Sequence, residues 1–369
     1  MNCGGIPTIA RKEFIQGLLP QIIRKRIPIS GTIEPSFRCN LNCVHCYVNL
    51  PAADREARRK EMSAERILRL IDELAEMGTL FLCFTGGEIL IRPDFWECYH
   101  RALDRGMLVT LFTNGTMVTA KVADELAKRP PLSVEISIYG RTKEVYERVT
   151  GVPGSFERCT RGIELLHRRG IKLSLKTVAI RPNAHELSQM REYAQSLGAE
   201  FRFDPMINGR IDFKKGPEQT RLSPEEVVAL DAADPNRVKT FQSYCQSTIF
   251  PAMSEALLTC GAGKFGFFVD PYGRLSGCSL LREPSYDLNA GSFAEGWNRF
   301  LPEQVRALRR TKATRCGSCG IRNMCTGCPG FSYLEHGDPE EPVDWVCDVT
   351  HERARAFGHP GLLKIGSGA

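Results

Sequence analysis

The chain has 369 residues, 42% hydrophobic and 25% charged, a composition that suits a globular protein with one sizeable core and a smaller lobe. Its net charge of +6 is spread among acids, in groups such as Arg24-Lys25-Arg26 and Arg55 to Lys60, with no interleaved basic and aromatic face for nucleic acid. No apolar run reaches the roughly 18 residues of a membrane span. The fifteen cysteines are odd in number and clustered, and Met1 to Gly31 holds no secretory apolar segment, so metal binding in a reducing cytoplasm is expected rather than disulfides.

Ile9, Phe14, Leu18, Ile22 and Ile23 recur at helical spacing until Pro28 stops the pattern. This predicts a helical extension over residues 1–30, which either closes the bottom of the next domain or lies on a membrane surface or partner. Thr32 to Phe37 reads as a first strand, and its C-terminal end delivers Cys39-Asn-Leu-Asn-Cys43-Val-His-Cys46. Structural zinc sites want four closed ligands in two separated pairs, whereas a compact trio fits an iron–sulfur cubane with one iron left open.

A unit of strand, loop and helix then recurs. Ser63 caps a helix with Ile67, Leu70, Ile71 and Leu74 on one face and Gly78 at its end, and Leu80 to Phe84 follows as an almost continuous apolar strand. Helix 94–105 ends at Gly106, and strand 107–112 runs into Thr113-Asn114-Gly115. Thr119 caps the next helix, Pro130-Pro131 precedes strand 132–138, and Ser155 starts a helix that Gly170 ends. Strand 171–180 leads to Asn183 and Glu186, a capping-box-like start for helix 184–197, and strand 200–204 closes the series.

Six β/α units over residues 31–205 demand parallel strands, so the fold class is α/β, a partial (β/α)6 TIM-like barrel with ligands at the C-terminal strand ends. Residues 206–259 read as a bridging region in which Ser223-Pro224-Glu225-Glu226 starts a helix. Residues 260–347 hold seven cysteines, and 348–369 form a tail whose Gly366-Ser367-Gly368-Ala369 end frays.

Chemistry-bearing residues fall where the strands end. Gly86-Gly87-Glu88 lets a ligand approach the backbone closely, with a carboxylate and carbonyls to accept from an ammonium. Ser137 ends the fourth strand, and Asn114 and Asn183 follow the third and fifth; Asn183 is either a cap or a ligand contact. Arg202 and Asp204 alternate with Phe201 and Phe203, and are either barrel-facing catalytic candidates or a buried ion pair. Asp270-Pro271-Tyr272-Gly273 predicts a turn between two strands. Cys316, Cys319, Cys325 and Cys328 could form a zinc ribbon, but five residues between the pairs make a short ribbon loop. Cys3, Cys83, Cys98 and Cys159 lie outside every motif, and Cys83 reads as a small core residue.

The trio Cys39, Cys43 and Cys46, with His45 before its last member and Tyr47 after it, resembles the radical S-adenosylmethionine (SAM) enzymes. Gly86-Gly87-Glu88 resembles that family's motif for SAM's amino group, and Ser137 its serine for SAM's polar groups. Cys260, Gly273, Cys278 and the later cysteine pairs with Cys347 closely resemble the SPASM domain, an extension with two auxiliary clusters. The resemblance spans about residues 30 to 347. It implies SAM and three 4Fe-4S clusters: one on Cys39, Cys43 and Cys46; auxiliary I on Cys260, Cys278 and Cys328, completed by Cys245, another residue or an open site; and auxiliary II on Cys316, Cys319, Cys325 and Cys347. The chain departs from the pattern in having two residues, not three, between Cys325 and Cys328, which loosens the assignment of Cys328. Ser279 stands where sulfatase-maturing relatives have aspartate.

The implied activity is reductive cleavage of SAM to a 5′-deoxyadenosyl radical that abstracts hydrogen from a substrate. A ribosomally made peptide, oxidatively modified or cross-linked, is the favoured substrate, and haem, tetrapyrrole or other small-molecule tailoring is the alternative. An electron carrier or zinc protein without catalysis is the alternative outside enzymes. Implied partners are a reductant such as flavodoxin or ferredoxin and a separate peptide-recognition protein, because the first 30 residues are too few for a winged-helix recognition domain.

Overall fold

Alternating strands and helices build one nine-stranded sheet, beside which two short strands pair with each other. The computed structural model describes residues 11–48, 50–246 and 253–359; Ile9, Cys3 and the Gly366–Ala369 end lie outside the described residues. In chain order the elements begin with α1 (Arg11–Arg24), β1 (Ser30–Ile33), the short β2 (Arg38–Cys39) and β3 (Leu50–Pro51), α2 (Arg55–Lys60) and α3 (Ala64–Glu76). There follow β4 (Phe81–Phe84), α4 (Phe95–Asp104), β5 (Leu108–Thr113), α5 (Ala120–Lys128), β6 (Ser133–Ser137), α6 (Lys143–Thr150), α7 (Ser155–His167), β7 (Leu173–Val178), α8 (Leu187–Ser196) and β8 (Glu200–Asp204). The remainder comprises α9 (Pro224–Ala232), α10 (Pro235–Gln246), β9 (Gly266–Val269), β10 (Arg274–Ser276), β11 (Tyr286–Asp287) and α11 (Phe293–Glu295), which runs into a π-helix over Gly296–Arg306, then α12 (Pro329–His336) and α13 (Asp344–Ala356).

Strands β1, β4, β5, β6, β7 and β8 lie side by side in that order, all parallel, as expected for six β/α units. Alternate residues face the helices: Leu82, Phe84, Val109, Leu111, Val134, Ile136 and Leu175 join Ile67, Leu70, Ile71 and Leu74 of α3 in one core. The Ser63 cap accepts from the Arg66 N–H, Thr119 caps α5, and Ser223 with Glu226 makes a full capping box on α9.

The sheet continues beyond the barrel. β9 pairs parallel with the free edge of β1, and β10 and β11 add antiparallel, giving nine strands in the order β11-β10-β9-β1-β4-β5-β6-β7-β8. The Phe267 ring occupies the space above Gly31, where a Cβ would lie 1.9 Å from it. The cysteine-rich lobe is therefore sewn to the barrel through its first strand, which sequence reasoning did not anticipate.

Three local readings change. The first strand ends at Ile33 because Pro35 has no N–H to extend the ladder. Helix α6, between Thr142 and Gly151, was missed, although the Thr142 hydroxyl caps it and Gly151 ends it in the left-handed region. Asn183 and Glu186 form no capping box: the chain makes a 3-10 turn over Ala184–Glu186 before α8. Asn183 instead bonds back to Ile180 and Val178, and Glu186 reaches across to Arg141 and Thr142. No helix among the described residues is long and apolar enough to cross a membrane.

Candidate active site

The cysteine loop leaves β1 and is held from three sides. The Arg38 guanidinium is bidentate on the Glu61 carboxylate, at 2.9 and 3.0 Å. The N–H groups of Gly87 and Glu88 donate to the carbonyls of Ser36 and Arg38, at 2.8 and 2.9 Å. The N–H groups of Asn42 and Val44 donate to Thr150 and Val149, at the end of α6. Glycine is required at the second contact: at Gly86, with φ +124°, a Cβ would come within 2.4 Å of the Ser36 carbonyl oxygen, and at Gly87 within 2.2 Å of the Arg38 carbonyl oxygen.

Cys39, Cys43 and Cys46 thereby face one cavity of about 570 Å³, together with Gly86, Gly87, Asn114 and Ser137. Burial pushes the Cys39 thiol up to about 12 and Cys43 well above its ordinary value, and the neighbouring cysteines push the same way. Thiols so enclosed ionise only beside a cation, which is the usual state of buried metal-ligating cysteine. Three such thiols beside two glycines that expose backbone fit a cluster with one position free for a small ligand. His45, enclosed against Tyr139 at 4.8 Å, is held down to about 4 by burial and stays neutral.

The polar residues behind the strands divide into two sets. Asn114 faces the cavity, with Nδ2 donating to Cys39 Sγ at 3.6 Å and Asn40 Oδ1 at 2.9 Å. Ser137 lines it too. Glu88 is fully buried and turned away, accepting from the Thr113 hydroxyl and the N–H groups of Leu90 and Asn114. It ties the glycine loop to the loop after β5. Asn183, also fully buried, lies outside the cavity.

Beyond Ser137 a second cavity, of about 840 Å³, shares Ser137, Tyr139, Lys176, Val178, Asp204 and Met206 with the first. Arg202 and Asp204 both open into it and do not pair with each other. Arg202 pairs with Glu135 of β6, while Asp204 accepts from the Met206 N–H at 2.8 Å, its carboxyl raised by burial. Arg237 and Arg353 share the buried Asp231 at 2.6 and 2.7 Å. Sequence reasoning missed Lys176 and Glu135. Their signal was alternation: Lys176 on β7 is a lone cation in a buried strand, and inward positions are the ones that reach a barrel's contents. The same alternation corrects Cys83. It lines the first cavity, half-buried, while Leu82 and Phe84 turn to the helices.

In the C-terminal lobe, Cys328 is near enough to Cys278 and Cys260, and Cys347 to Cys325 and Cys316, for their thiolates to repel one another. Cys316, Cys325, Cys328 and Cys347 border a cavity of about 420 Å³. The Cys319 N–H donates to the Cys316 carbonyl, so those two share a turn. The Cys245 thiol lies 3.9 Å from Met324 Sδ in a small core that Cys319 borders. Cys347 sits within α13, which continues the cysteine lobe past residue 347. Arg282, four residues after Cys278, returns to the barrel and pairs at 3.1 Å with Glu34, which also accepts from the Tyr47 hydroxyl at 2.8 Å.

Residues 33–194 match the Radical SAM superfamily. The AdoMet-dependent heme synthase of Methanosarcina barkeri is 29% identical over 332 residues, covering 84% of this chain and 94% of that protein. The mycofactocin maturase MftC of Mycolicibacterium smegmatis is 31% identical over 338 residues, covering 86% and 83%. Among solved structures, SuiB of Streptococcus suis superposes with a TM-score of 0.68 at 18% identity, over 94% of this chain and 84% of that one. The partial barrel, its thiol-lined cavity and the cysteine-rich lobe thus occur together in a chain with relatives along nearly its whole length: it belongs to the radical SAM superfamily, among the members with a C-terminal SPASM domain.

Proposed function

We propose that this enzyme is a radical SAM maturase that oxidatively modifies or cross-links a ribosomally made peptide. The observation that carries the reading is the junction of two cavities at Ser137, Lys176 and Asp204: one faces the cysteine trio, and the other is large enough for several side chains. When bound, SAM and its 4Fe-4S cluster on Cys39, Cys43 and Cys46 supply a 5′-deoxyadenosyl radical able to take hydrogen from carbon. The protein's own part is to orient and to exclude water. Gly86 and Gly87 present backbone to SAM, Asn114 steadies Cys39, and Ser137 contacts SAM's polar groups at the passage to the substrate.

Two auxiliary 4Fe-4S clusters are assigned to the C-terminal lobe. Cys260, Cys278 and Cys328 hold the first, and Cys316, Cys319, Cys325 and Cys347 the second, in line with the neighbours seen for Cys328 and Cys347. A flavodoxin or ferredoxin supplies electrons, a separate protein recognises the peptide, and the cytoplasm keeps the thiols reduced. The heme synthase relative favours a second reading, tailoring of a tetrapyrrole by the same chemistry.

The test is anaerobic reconstitution, followed by iron and sulfide analysis and deoxyadenosine formation from SAM under strong reductant. The reading expects about twelve irons per chain, for three four-iron clusters, with deoxyadenosine formed. About four irons with turnover would remove the auxiliary clusters, and no deoxyadenosine would remove the activity. Mass change of a peptide encoded beside the gene then separates peptide maturation from tetrapyrrole tailoring.

A further inference from the structure

Lys176 on β7 and Arg202 on β8 are direct partners in the parallel register, so two cations stand side by side on the inner wall of the barrel. Like charges in that position repel. A single carboxylate, Glu135 on β6, serves both: Lys176 Nζ lies 3.4 Å from Glu135 Oε2, and Arg202 Nη2 bonds the same oxygen. The Lys176 ammonium also lies over the Phe112 ring, 2.8 Å from its centroid, and Arg202 over the same ring at 5.9 Å. Arg202 holds Glu135 and burial favours the neutral form of Lys176, so an anion entering here would meet the Arg202 guanidinium and draw the proton back onto Lys176. The Arg202 side chain is 58% exposed, and the surface it exposes borders the larger cavity. In the same cavity Arg237 and Arg353 share Asp231, feel the charge of Asp204, and lie over Phe203 and Phe241 at 4.8 and 4.6 Å.

We propose that Lys176 and Arg202, two cations sharing the single carboxylate Glu135, bind a carboxylate of the substrate and so hold it at the junction with the SAM cavity. This rests on the reading of the cavity as the substrate site and adds the chemical class of substrate: one carrying at least one free carboxylate. A guanidinium with open N–H groups suits bidentate carboxylate recognition, and Lys176 beside it adds a point charge once the anion is bound. Phe203 and Phe241 give the larger cavity apolar surface for the rest of the molecule. A peptide carboxylate and a tetrapyrrole carboxylate share this chemistry.

The experiment is calorimetric titration of the reconstituted full-length protein with three probes: acetyl-Gly-Phe-Gly as the free acid, the same peptide as the amide, and coproporphyrin. At least one acid probe should bind, and its affinity should fall about tenfold to a hundredfold in Lys176→Met and Arg202→Gln, the loss expected for a charged hydrogen bond. Arg202→Lys should keep more of that affinity than Arg202→Gln, which a purely structural role for Arg202 would not produce. Binding by the free peptide acid but not its amide assigns the site to a peptide carboxylate, and binding by coproporphyrin alone assigns it to a tetrapyrrole. Equal binding of acid and amide, insensitivity to both substitutions, or no binding of either acid to the wild type overturns the proposal. None of these readings needs turnover. Deoxyadenosine formation, followed separately, judges the radical SAM reading by itself.

Discussion

Glu88 is fully buried, with its carboxylate oxygens taken up by the Thr113 hydroxyl and two backbone N–H groups. Glu88→Gln turns one acceptor into a donor that faces donors, so stability should fall by about 1–3 kcal/mol. Urea unfolding of the unreconstituted protein measures this. SAM affinity of the reconstituted variant should fall with it, because Gly87 and Asn114 lose their common anchor. Lys176 carries a pH prediction. Burial, the leading cause, depresses its ammonium to about 7 against the opposing pull of Glu135. Between about pH 7 and pH 10 the unfolded chain then holds a proton that the folded chain lacks, so this group's contribution to stability rises with pH. Lys176→Met removes a penalty on the order of 4 kcal/mol that is present in full below pH 7. The variant should be the more stable at pH 6.5, and the difference should shrink toward pH 10. A pH-independent difference in urea midpoint would refute the assignment.

Between elements, the glycine loop after β4 and the start of the cysteine loop behave as two short backbone segments in direct contact. The Gly87 N–H donates to the Ser36 carbonyl and the Glu88 N–H to the Arg38 carbonyl, with no room for a side chain between. Gly87→Ala would place a Cβ 2.2 Å from a backbone oxygen that cannot move without taking Cys39 with it. Overpacking of this kind costs about 1–3 kcal/mol. Its larger effect should be on cluster retention, with iron content after reconstitution falling by about one cluster while circular dichroism stays unchanged. Iron content equal to the wild type would mean that the two loops are not coupled. Helix α6 has a similar supporting role, since its last carbonyls receive the N–H groups of Asn42 and Val44, between the cysteines.

Across the whole molecule, Arg282 joins the cysteine-rich lobe to the barrel. Its guanidinium pairs with the fully buried Glu34 and lies over Phe268 and Phe37, at 4.7 and 5.2 Å, and Glu34 in turn holds Tyr47 next to the cysteine trio. Arg282→Met leaves a buried carboxylate without its cation, which typically costs about 3–5 kcal/mol, while adding Glu34→Gln should recover much of the loss. Thermal unfolding of the single and double variants tests this, and equal melting temperatures for wild type and Arg282→Met would sink it. The six parallel strands, the caps at Ser63, Thr119 and Ser223 and the membership of the family were legible in the chain, because each depends on hydrophobic period or on residue spacing over a few positions. The tertiary structure alone decided that β9 joins β1, that Glu88 and Asn183 turn away from the cavity, that Cys245 lies with Met324, and that Glu135, Lys176 and Arg202 meet. Those contacts span 41 and 67 residues between Glu135 and its two partners. Which inward positions face one another is set by register between strands, a property of the assembled sheet that no local stretch of the chain encodes.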